Sequence, residues 1–231
     1  MDNTSVWFEV YDSTDFGNKY PFSYLVTLFH RRIKPELVKN KNLKDLKILD
    51  FGCSYGANSR VFKDLNCEVF GVDISPKIID KCIEFGLGDC NHFKCENLLN
   101  YSSLDEVFEG VKFDFILASE CMYYFTNSEQ DKLINMFCNS LSENGIVYAS
   151  YPTFDTLIYR DYADCNKDEN GMIEILKSGS IEHNRSVNLP YNKKELMDKY
   201  SIFNQCEVLE TNLPLELDKN ELEYHVIAKK G

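Results

Sequence analysis

Short apolar runs alternate with helical stretches through the middle of the chain, and this alternation restricts the fold more than any other feature. The runs are KILDF from residue 47, EVFGVDIS from residue 68, HFKCENL from residue 92, KFDFILASECMYYF from residue 112 and NGIVYASYP from residue 144. Each has the length of a strand, and helical spacing follows several of them. Strands that alternate with helices form right-handed βαβ units, so the sequence predicts an α/β protein with a Rossmann-like, mostly parallel sheet and helices on both faces.

Two further strand-like runs close the chain, QCEVLETNL from residue 205 and EYHVIAKK from residue 223. Too few residues separate them for a crossover helix, so we expect this last pair to be antiparallel and to complete a seven-stranded sheet. The pattern predicts one domain over residues 1–231. Its parts are an N-terminal helical segment (1–44), a ligand-binding core (45–153), an insertion after the fifth strand (154–190), and a closing helix with two strands (191–231).

The chain is acidic, with a formal net charge of −12 over 231 residues. Such a surface repels a phosphate backbone, so nucleic acid is disfavoured as a partner. The N-terminal sequence MDNTSVWFEVYDSTDFGNKY is polar and acidic, unlike a signal peptide, and no window reaches membrane-spanning length. We therefore expect a cytoplasmic protein, either a monomer or a homodimer.

Nine cysteines are present, but none form a C-x-x-C pair. The nearest approach to a zinc-ligand cluster is Cys82, Cys90 and Cys95 with His92, and it lacks the short spacing that zinc sites use. A buried cysteine commonly acts as a small apolar residue. The sequence predicts no metal site.

The first apolar run leads into a turn that contains Gly52 and Gly56. Asp73 follows 21 residues after Gly52, at a strand end where a carboxylate can accept hydrogen bonds from a ribose diol. Nicotinamide and adenosyl cofactors share that spacing, so Asp73 indicates a ribose without naming the cofactor. However, Ser54 stands where a dinucleotide turn has its middle glycine, and Asp50 adds a negative charge where a pyrophosphate would rest. A cationic ligand without phosphate suits this turn better.

The motifs ILDFGCSYGANS, VFGVDIS, FDFILASECMYYF and NGIVYASYPT, in this order and spacing, resemble the class I S-adenosylmethionine-dependent methyltransferases. The resemblance is strong over about residues 45–153 and weaker over the closing strands. The N-terminal WFEVY…GNKYPFSYLVTLFHR resembles a small branch that O-methylates sugars or their decorations in bacterial capsule or lipopolysaccharide synthesis. The resemblance implies S-adenosylmethionine as cofactor, S-adenosylhomocysteine as product, and a small-molecule acceptor such as a nucleotide-linked sugar.

The resemblance also implies a set of cofactor-binding residues, in the loops after the first four strands and in the N-terminal segment. They are Tyr11, Tyr20, Arg31, Asp50, Gly52, Ser54, Gly56, Asp73, Ile74, Glu96, Asn97, Ser119 and Glu120. Within this set, the resemblance places the ribose hydroxyls on Asp73 and the adenine ring beside Ile74. Either Glu96 or Asn97 contacts the adenine amino group.

Other members of the set belong to the methionine end of the cofactor. By resemblance, Ser119 and Glu120 lie beside the sulfonium. Arg31 pairs with the cofactor carboxylate, because a guanidinium can grip a carboxylate with two hydrogen bonds. Ser54 either binds that carboxylate through its hydroxyl or is simply tolerated in place of glycine. The aromatic residues Tyr11 and Tyr20 are candidates for stacking on the cofactor or capping it.

A hydroxyl acceptor is a poor nucleophile at neutral pH, so a general base would assist methyl transfer. His183 lies in the insertion that we expect to cover the active site, which makes it the candidate base. Arg185, two residues further on, could bind an anionic acceptor. Tyr123 and Tyr124 follow the fourth strand and are candidate acceptor-binding aromatics.

Several alternatives remain at this stage. The acceptor could be another small metabolite, or a phosphoramidate-type decoration. The chain could also be a catalytically silent module that only binds cofactor. A nicotinamide oxidoreductase is a further alternative, but its dinucleotide turn is missing from the sequence.

Overall fold

A seven-stranded sheet forms the centre of the protein in a computed structural model that describes residues 20–39, 41–156, 158–176, 185–216 and 219–231. The described residues form nine strands. The strands are β1 (Lys47–Phe51), β2 (Glu68–Asp73), β3 (Phe93–Cys95), β4 (Phe113–Ala118), β5 (Leu141–Pro152), β6 (Ile173–Glu174), β7 (Ser186–Val187), β8 (Gln205–Glu216) and β9 (Lys219–Lys229). Of these, β6 and β7 make a separate small sheet. The order in the main sheet is β3-β2-β1-β4-β5-β9-β8. Strands β1 to β5 are parallel, whereas β9 is antiparallel to both β5 and β8. The predicted fold class is confirmed.

Helices follow most of the strands. They are α1 (Ser23–Leu28), α2 (Lys34–Leu37), α3 (Ala57–Asp64), α4 (Pro76–Glu84), α5 (Asp105–Phe108), α6 (Asn127–Ser140) and α7 (Lys193–Lys199). Their boundaries follow local chemistry. Pro76 occupies the first position of α4, where its missing N–H costs nothing. Thr126 and Glu129 form a reciprocal capping box that starts α6.

The sheet separates two apolar cores, because successive residues of a strand point to opposite faces. On one face Leu49 packs in a core that includes residues of α5, α6 and α7. On the other face Ile48 packs with residues of α1, α2, α3 and α4. β4 is buried along its whole length, because helices cover both faces of the sheet there. This explains why its sequence is an almost continuous apolar run and does not alternate with polar residues.

The N-terminal helical segment contains a π-helical turn, Phe29–Ile33, between α1 and α2. Leu25, Phe29, Ile33 and Leu37 are all buried at a spacing of four residues. In a regular α-helix four residues turn by about 400°, so a strict four-residue spacing drifts away from one face. The wider π turn offsets this drift and keeps all four side chains on the sheet.

The insertion after β5 carries more structure than the sequence indicated. Strands β6 and β7 pair as a small antiparallel sheet, and a 3-10 turn spans Arg160–Tyr162. Two-residue strands are too short to show an alternating pattern, which explains why sequence analysis missed them. Within the described parts of the chain, no helix has the length and apolar character needed to cross a membrane.

Candidate active site

The glycine turn after β1 sits at the carboxyl edge of the sheet, where parallel α/β folds bind ligands. Gly52 and Gly56 both have left-handed backbones, with φ of +69° and +73°. A Cβ atom on Gly56 would lie 2.2 Å from Cδ1 of Leu87, so a side chain cannot be accommodated there without movement. The amides of Gly52 and Cys53 both donate to the carbonyl of Val72, at 2.9 and 3.1 Å. These contacts tie the turn to the neighbouring strand β2.

Ser54 is also left-handed, with φ of +44°, so it adopts the backbone geometry of the glycine it replaces. Its amide donates to Oδ2 of Asp73 at 3.1 Å, and its carbonyl accepts a hydrogen bond from the Cys82 thiol at 3.2 Å. Both bonds involve the backbone. The turn therefore keeps its shape although the middle glycine is absent.

Asp73 ends β2 with its carboxylate fixed on both sides. Its Oδ1 accepts a hydrogen bond from the Ser75 amide at 3.1 Å, while Oδ2 accepts the bond from Ser54. Burial raises the pKa of Asp73 to about 6, and the backbone hydrogen bonds only partly oppose this effect. The side chain thus joins the glycine turn to the start of α4.

Asp50 is the penultimate residue of β1 and is also buried. Its Oδ2 accepts a hydrogen bond from the Ser59 hydroxyl of α3 at 2.6 Å. Burial raises the pKa of Asp50 to about 7, and the negative charge of Asp73 adds to the rise. Two neighbouring carboxylates that resist ionisation form a site where a cation would be favoured.

The end of β3 orients both candidates for adenine recognition. Oε2 of Glu96 accepts a hydrogen bond from the Tyr101 hydroxyl at 2.6 Å, and the Glu96 amide donates to the Asp73 carbonyl at 3.0 Å. Oδ1 of Asn97 accepts from the Leu99 amide at 3.0 Å and caps a 3-10 turn. Ile74 is half-buried beside them. Both polar side chains thus have a partner within the fold.

The end of β4 places Ser119 and Glu120 next to the glycine turn. The Ser119 hydroxyl is buried and has no hydrogen-bond partner among the residues that the structure describes. Glu120 has a left-handed backbone, φ +53°, and its amide donates to Oγ of Ser150 at 2.9 Å. The next residue, Cys121, donates from its thiol to the Phe51 carbonyl at 3.3 Å. The buried hydroxyl of Ser119 is the kind of group that a bound ligand would satisfy.

Three of the residues predicted on the acceptor side lie together. The rings of Tyr123 and Tyr124 are buried with centroids 4.3 Å apart, and the Tyr159 ring lies 6.5 Å from that of Tyr123. The Arg185 guanidinium is buried over the Tyr124 ring, with Cζ 5.8 Å from its centroid. The amide of Asn188 donates to the Tyr123 carbonyl at 2.7 Å, which joins the insertion to this turn.

Two predicted cofactor-binding residues, Tyr20 and Arg31, are exposed in the N-terminal segment. Tyr20 is 82% exposed at the start of the described N-terminal segment. Arg31 is exposed on the π turn, while Phe29 and Ile33 on the same turn are buried. Tyr11 and His183 fall outside the described residues. In the described part of the chain, no cluster of three or more histidine, cysteine, aspartate or glutamate residues has the geometry of a metal site.

The residues that support these side chains are not among the predicted site residues. Ser59 supports Asp50, Tyr101 supports Glu96, and Ser150 supports the loop at Glu120. A serine inside the apolar run of β5 was a usable signal, because a buried hydroxyl needs a partner. Ser59 and Tyr101 carry no comparable signal, since polar residues are ordinary in helices and loops.

Comparison with known proteins supports the family resemblance. A family profile described as a methyltransferase domain matches residues 23–198. An uncharacterized protein, RP789 of Rickettsia prowazekii (strain Madrid E), is 26% identical over 190 residues, which cover 73% of this chain and 32% of that protein. The chain spans less than half the length of the sequence relatives that it matches.

Solved structures share the fold at low sequence identity. The PH0226 protein from Pyrococcus horikoshii OT3 superposes with a TM-score of 0.60 and 15% identity, covering 96% of this chain and 99% of that one. A SAM-dependent methyltransferase from Methanosarcina mazei superposes with a TM-score of 0.62 and 18% identity, covering 86% of this chain and 97% of that one. These similarities establish the fold.

Proposed function

Because the chain belongs to the methyltransferase domain family, we propose that it transfers a methyl group from S-adenosylmethionine to a hydroxyl of a small acceptor and releases S-adenosylhomocysteine. The observation that carries the proposal is the Asp73 carboxylate, held at the carboxyl end of β2 by the amides of Ser54 and Ser75. A carboxylate fixed beside a glycine turn is suited to accept hydrogen bonds from the two hydroxyls of a ribose.

The charges around the turn favour a cationic cofactor. The buried Cys121 thiol has a pKa raised well above its usual value by burial and by three carboxylates, Asp50, Glu120 and Asp73. Three acidic groups within electrostatic reach of one thiol disfavour a further negative charge and favour a positive one. S-adenosylmethionine carries a sulfonium charge that its product lacks, so this site would bind the reactant more tightly than the product. Bound there, the cofactor supplies both the methyl group and its leaving group.

The same site offers groups for the rest of the cofactor. Ile74 would pack against adenine, and Glu96 or Asn97 would contact the adenine amino group. The buried Ser119 hydroxyl would gain a partner. Each of these residues lies at the carboxyl end of a strand or in the loop after it, so one ligand lying along that edge of the sheet can contact them all.

For the acceptor, we propose a sugar or a related group in surface polysaccharide synthesis. Aromatic faces such as those of Tyr123 and Tyr124 suit the apolar face of a sugar ring, and the guanidinium of Arg185 suits an anion attached to it. A nucleotide-linked sugar combines both features. The acidic chain disfavours nucleic acid as an acceptor.

Calorimetry with S-adenosylmethionine and with NAD tests the cofactor assignment. We expect binding of S-adenosylmethionine and none of NAD. Asp73→Ala should weaken binding at least about tenfold, through loss of a charge-assisted contact. The matched control is Asp114→Ala. Asp114 is also buried and also accepts a hydrogen bond from a backbone amide, that of Lys47 at 3.0 Å. It lies near the amino end of β4, away from the proposed site. Equal affinity losses in both variants would remove the ribose assignment.

The acceptor class requires a separate experiment. The full chain is incubated with methyl-labelled cofactor and a panel of nucleotide sugars, free sugars and small alcohols. Label on a sugar hydroxyl supports the proposed acceptor class. Label on a different metabolite or on a phosphoramidate-type decoration would redirect it, and cofactor binding without any transfer would favour the silent binding module.

A further inference from the structure

Glu120 is held in an unusual conformation at the point where β4 ends. Its left-handed φ of +53° is uncommon for a residue with a long side chain and strains the backbone. Two contacts with Ser150 stabilise this conformation. The Glu120 amide donates to Oγ of Ser150, and the same hydroxyl donates to Oε1 of Glu120. Strain of this kind, kept by the surrounding structure, is typical of functional positions.

A buried group of polar side chains lies beside the Glu120–Ser150 pair. The hydroxyl of Tyr148, two residues before Ser150 on β5, lies 2.9 Å from Nδ1 of His225. Nε2 of His225 lies 2.7 Å from the Thr211 hydroxyl. Ser150, Tyr148 and His225 are completely buried. Apolar side chains would fill this space without any need for partners, so buried polar groups here indicate a role beyond packing.

The strand order sets the position of Glu120 relative to a bound cofactor. Asp73, the glycine turn and Glu120 follow the neighbouring strands β2, β1 and β4. Two strand spacings separate the first from the last, about 10 Å. A ligand whose ribose rests on Asp73 and which crosses the glycine turn therefore directs its other end toward Glu120.

We infer that Glu120 is the catalytic base that accepts the proton of the acceptor hydroxyl, and that Ser150, Tyr148 and His225 are positioning residues that hold its carboxylate. This inference rests on the proposed methyl transfer. The acceptor oxygen forms a bond to the methyl carbon while the carbon–sulfur bond breaks, and the bonding pair stays on the sulfur of the product. The hydroxyl proton moves to the Glu120 carboxylate, which later releases it to water.

Ionisable groups of four strands lie around the loop that carries Glu120. Cys121 follows Glu120 in this loop, and its thiol is within electrostatic reach of Asp50 on β1 and Asp73 on β2. Tyr148 of β5 faces both Glu120 and Glu223, and His225 follows on β9. The Ser150 hydroxyl donates to the Glu120 carboxylate and fixes its direction.

The first test measures the pKa of Glu120 by carbon NMR of the full chain, labelled at glutamate carboxyl carbons, with Glu120→Gln identifying the signal. In the complex with S-adenosylmethionine this pKa should lie about 1 pH unit or more below its value with S-adenosylhomocysteine, because only the former has a positive sulfonium. Equal values in the two complexes would overturn the inference alone. Failure of S-adenosylmethionine to bind would overturn the proposed function with it.

Two variants of β5 test the positioning residues. Tyr148→Phe removes the buried hydroxyl that contacts His225, and should change the Glu120 pKa by about 0.5 pH unit. Tyr151→Phe is the matched control: it removes a buried hydroxyl that bonds to the Tyr200 hydroxyl at 3.0 Å on the opposite face of the sheet. Equal changes in both variants would reduce the network to a packing role.

The second test measures turnover with any acceptor that the full chain methylates. Glu120→Gln should lower turnover about 100-fold, the usual contribution of a general base, while affinity for S-adenosylhomocysteine stays within about threefold. His183→Ala is the competing variant. A large loss in His183→Ala together with undiminished turnover in Glu120→Gln would assign the base to His183 and overturn the inference.

Discussion

Ser54 shows how one residue can depart from a motif without changing the turn that the motif builds. A left-handed backbone costs a residue with a Cβ atom about 1 kcal/mol, and Ser54 accepts this cost at φ +44°. The contacts that hold it there use its backbone, to Asp73 and from Cys82. Turn geometry and cofactor contact are therefore separable at this position, and two substitutions can distinguish them.

Ser54→Gly should raise the free energy of unfolding by up to about 1 kcal/mol, because glycine adopts this backbone without the Cβ penalty. Urea unfolding measures the change. Ser75→Gly is the control, since Ser75 has an extended backbone with φ of −92° and gains nothing from glycine. Ser54→Ala keeps the backbone strain but removes the hydroxyl. If Ser54→Ala binds S-adenosylmethionine as well as the unmodified chain does, the hydroxyl has no role in binding. If Ser75→Gly raises the free energy of unfolding as much as Ser54→Gly does, backbone strain at Ser54 is not the cause.

At the scale of elements, the sequence predicted what depends on short-range pattern. The runs of β1 to β5 are strands because each is apolar over a strand length, and the glycine turn was visible because Gly52 and Gly56 stand at a strand end. Contacts between distant elements were not predictable. The pair of Glu120 and Ser150 joins residues 30 positions apart, and only the register of β4 against β5 brings them together. The π turn escaped prediction because its residues fit an ordinary amphipathic helix.

The N-terminal helical segment gives a test of the role first expected for Arg31. Near the start of the segment, the Tyr24 hydroxyl donates to the Asn212 carbonyl, close to the carboxyl edge of β5. Near its end, Glu36 pairs with Lys229, opposite the amino-terminal half of β5. The segment therefore runs away from the carboxyl edge of the sheet. Arg31 lies seven residues beyond Tyr24, about 10 Å along the helix axis, on a side that faces away from the core.

We expect Arg31→Ala to leave the affinity for S-adenosylmethionine within about twofold of that of the unmodified chain. Arg32→Ala is the control and should also leave this affinity unchanged, because it breaks only an exposed ion pair with Glu207. A tenfold loss in Arg31→Ala alone would restore the carboxylate-binding role.

The whole molecule combines buried groups whose protonation affects stability in opposite directions. Asp50 and Asp73 have pKa values raised from 3.8 to about 7 and about 6, so the stability linked to them is present below pH 3.8 and is lost as the pH rises from there through these values. Burial lowers the pKa of His225 to about 4, so its contribution is present above pH 6.5 and is lost as the pH falls toward 4. The two carboxylates therefore destabilise the chain at neutral pH, which is consistent with a site that a bound cation completes.

Asp50→Asn should isolate this effect in the intact fold. The amide keeps an oxygen that can accept the Ser59 hydrogen bond but carries no charge, so the free energy of unfolding at pH 8 should rise by about 1–3 kcal/mol. At pH 4 most of the gain should be gone, since the carboxyl group is then protonated in the folded chain and only partly ionised in the unfolded one. Urea unfolding between pH 4 and pH 8 measures the difference in unfolding free energy between Asp50→Asn and the unmodified chain. Asp114→Asn is the control. It should lose stability at pH 8, because Asp114 pairs with Lys41 at 2.6 Å. A pH-independent gain would show that Asp50 does not titrate in this range.

Asp50→Asn should also bind S-adenosylmethionine more weakly, because the negative charge that destabilises the unliganded fold is one that attracts the sulfonium.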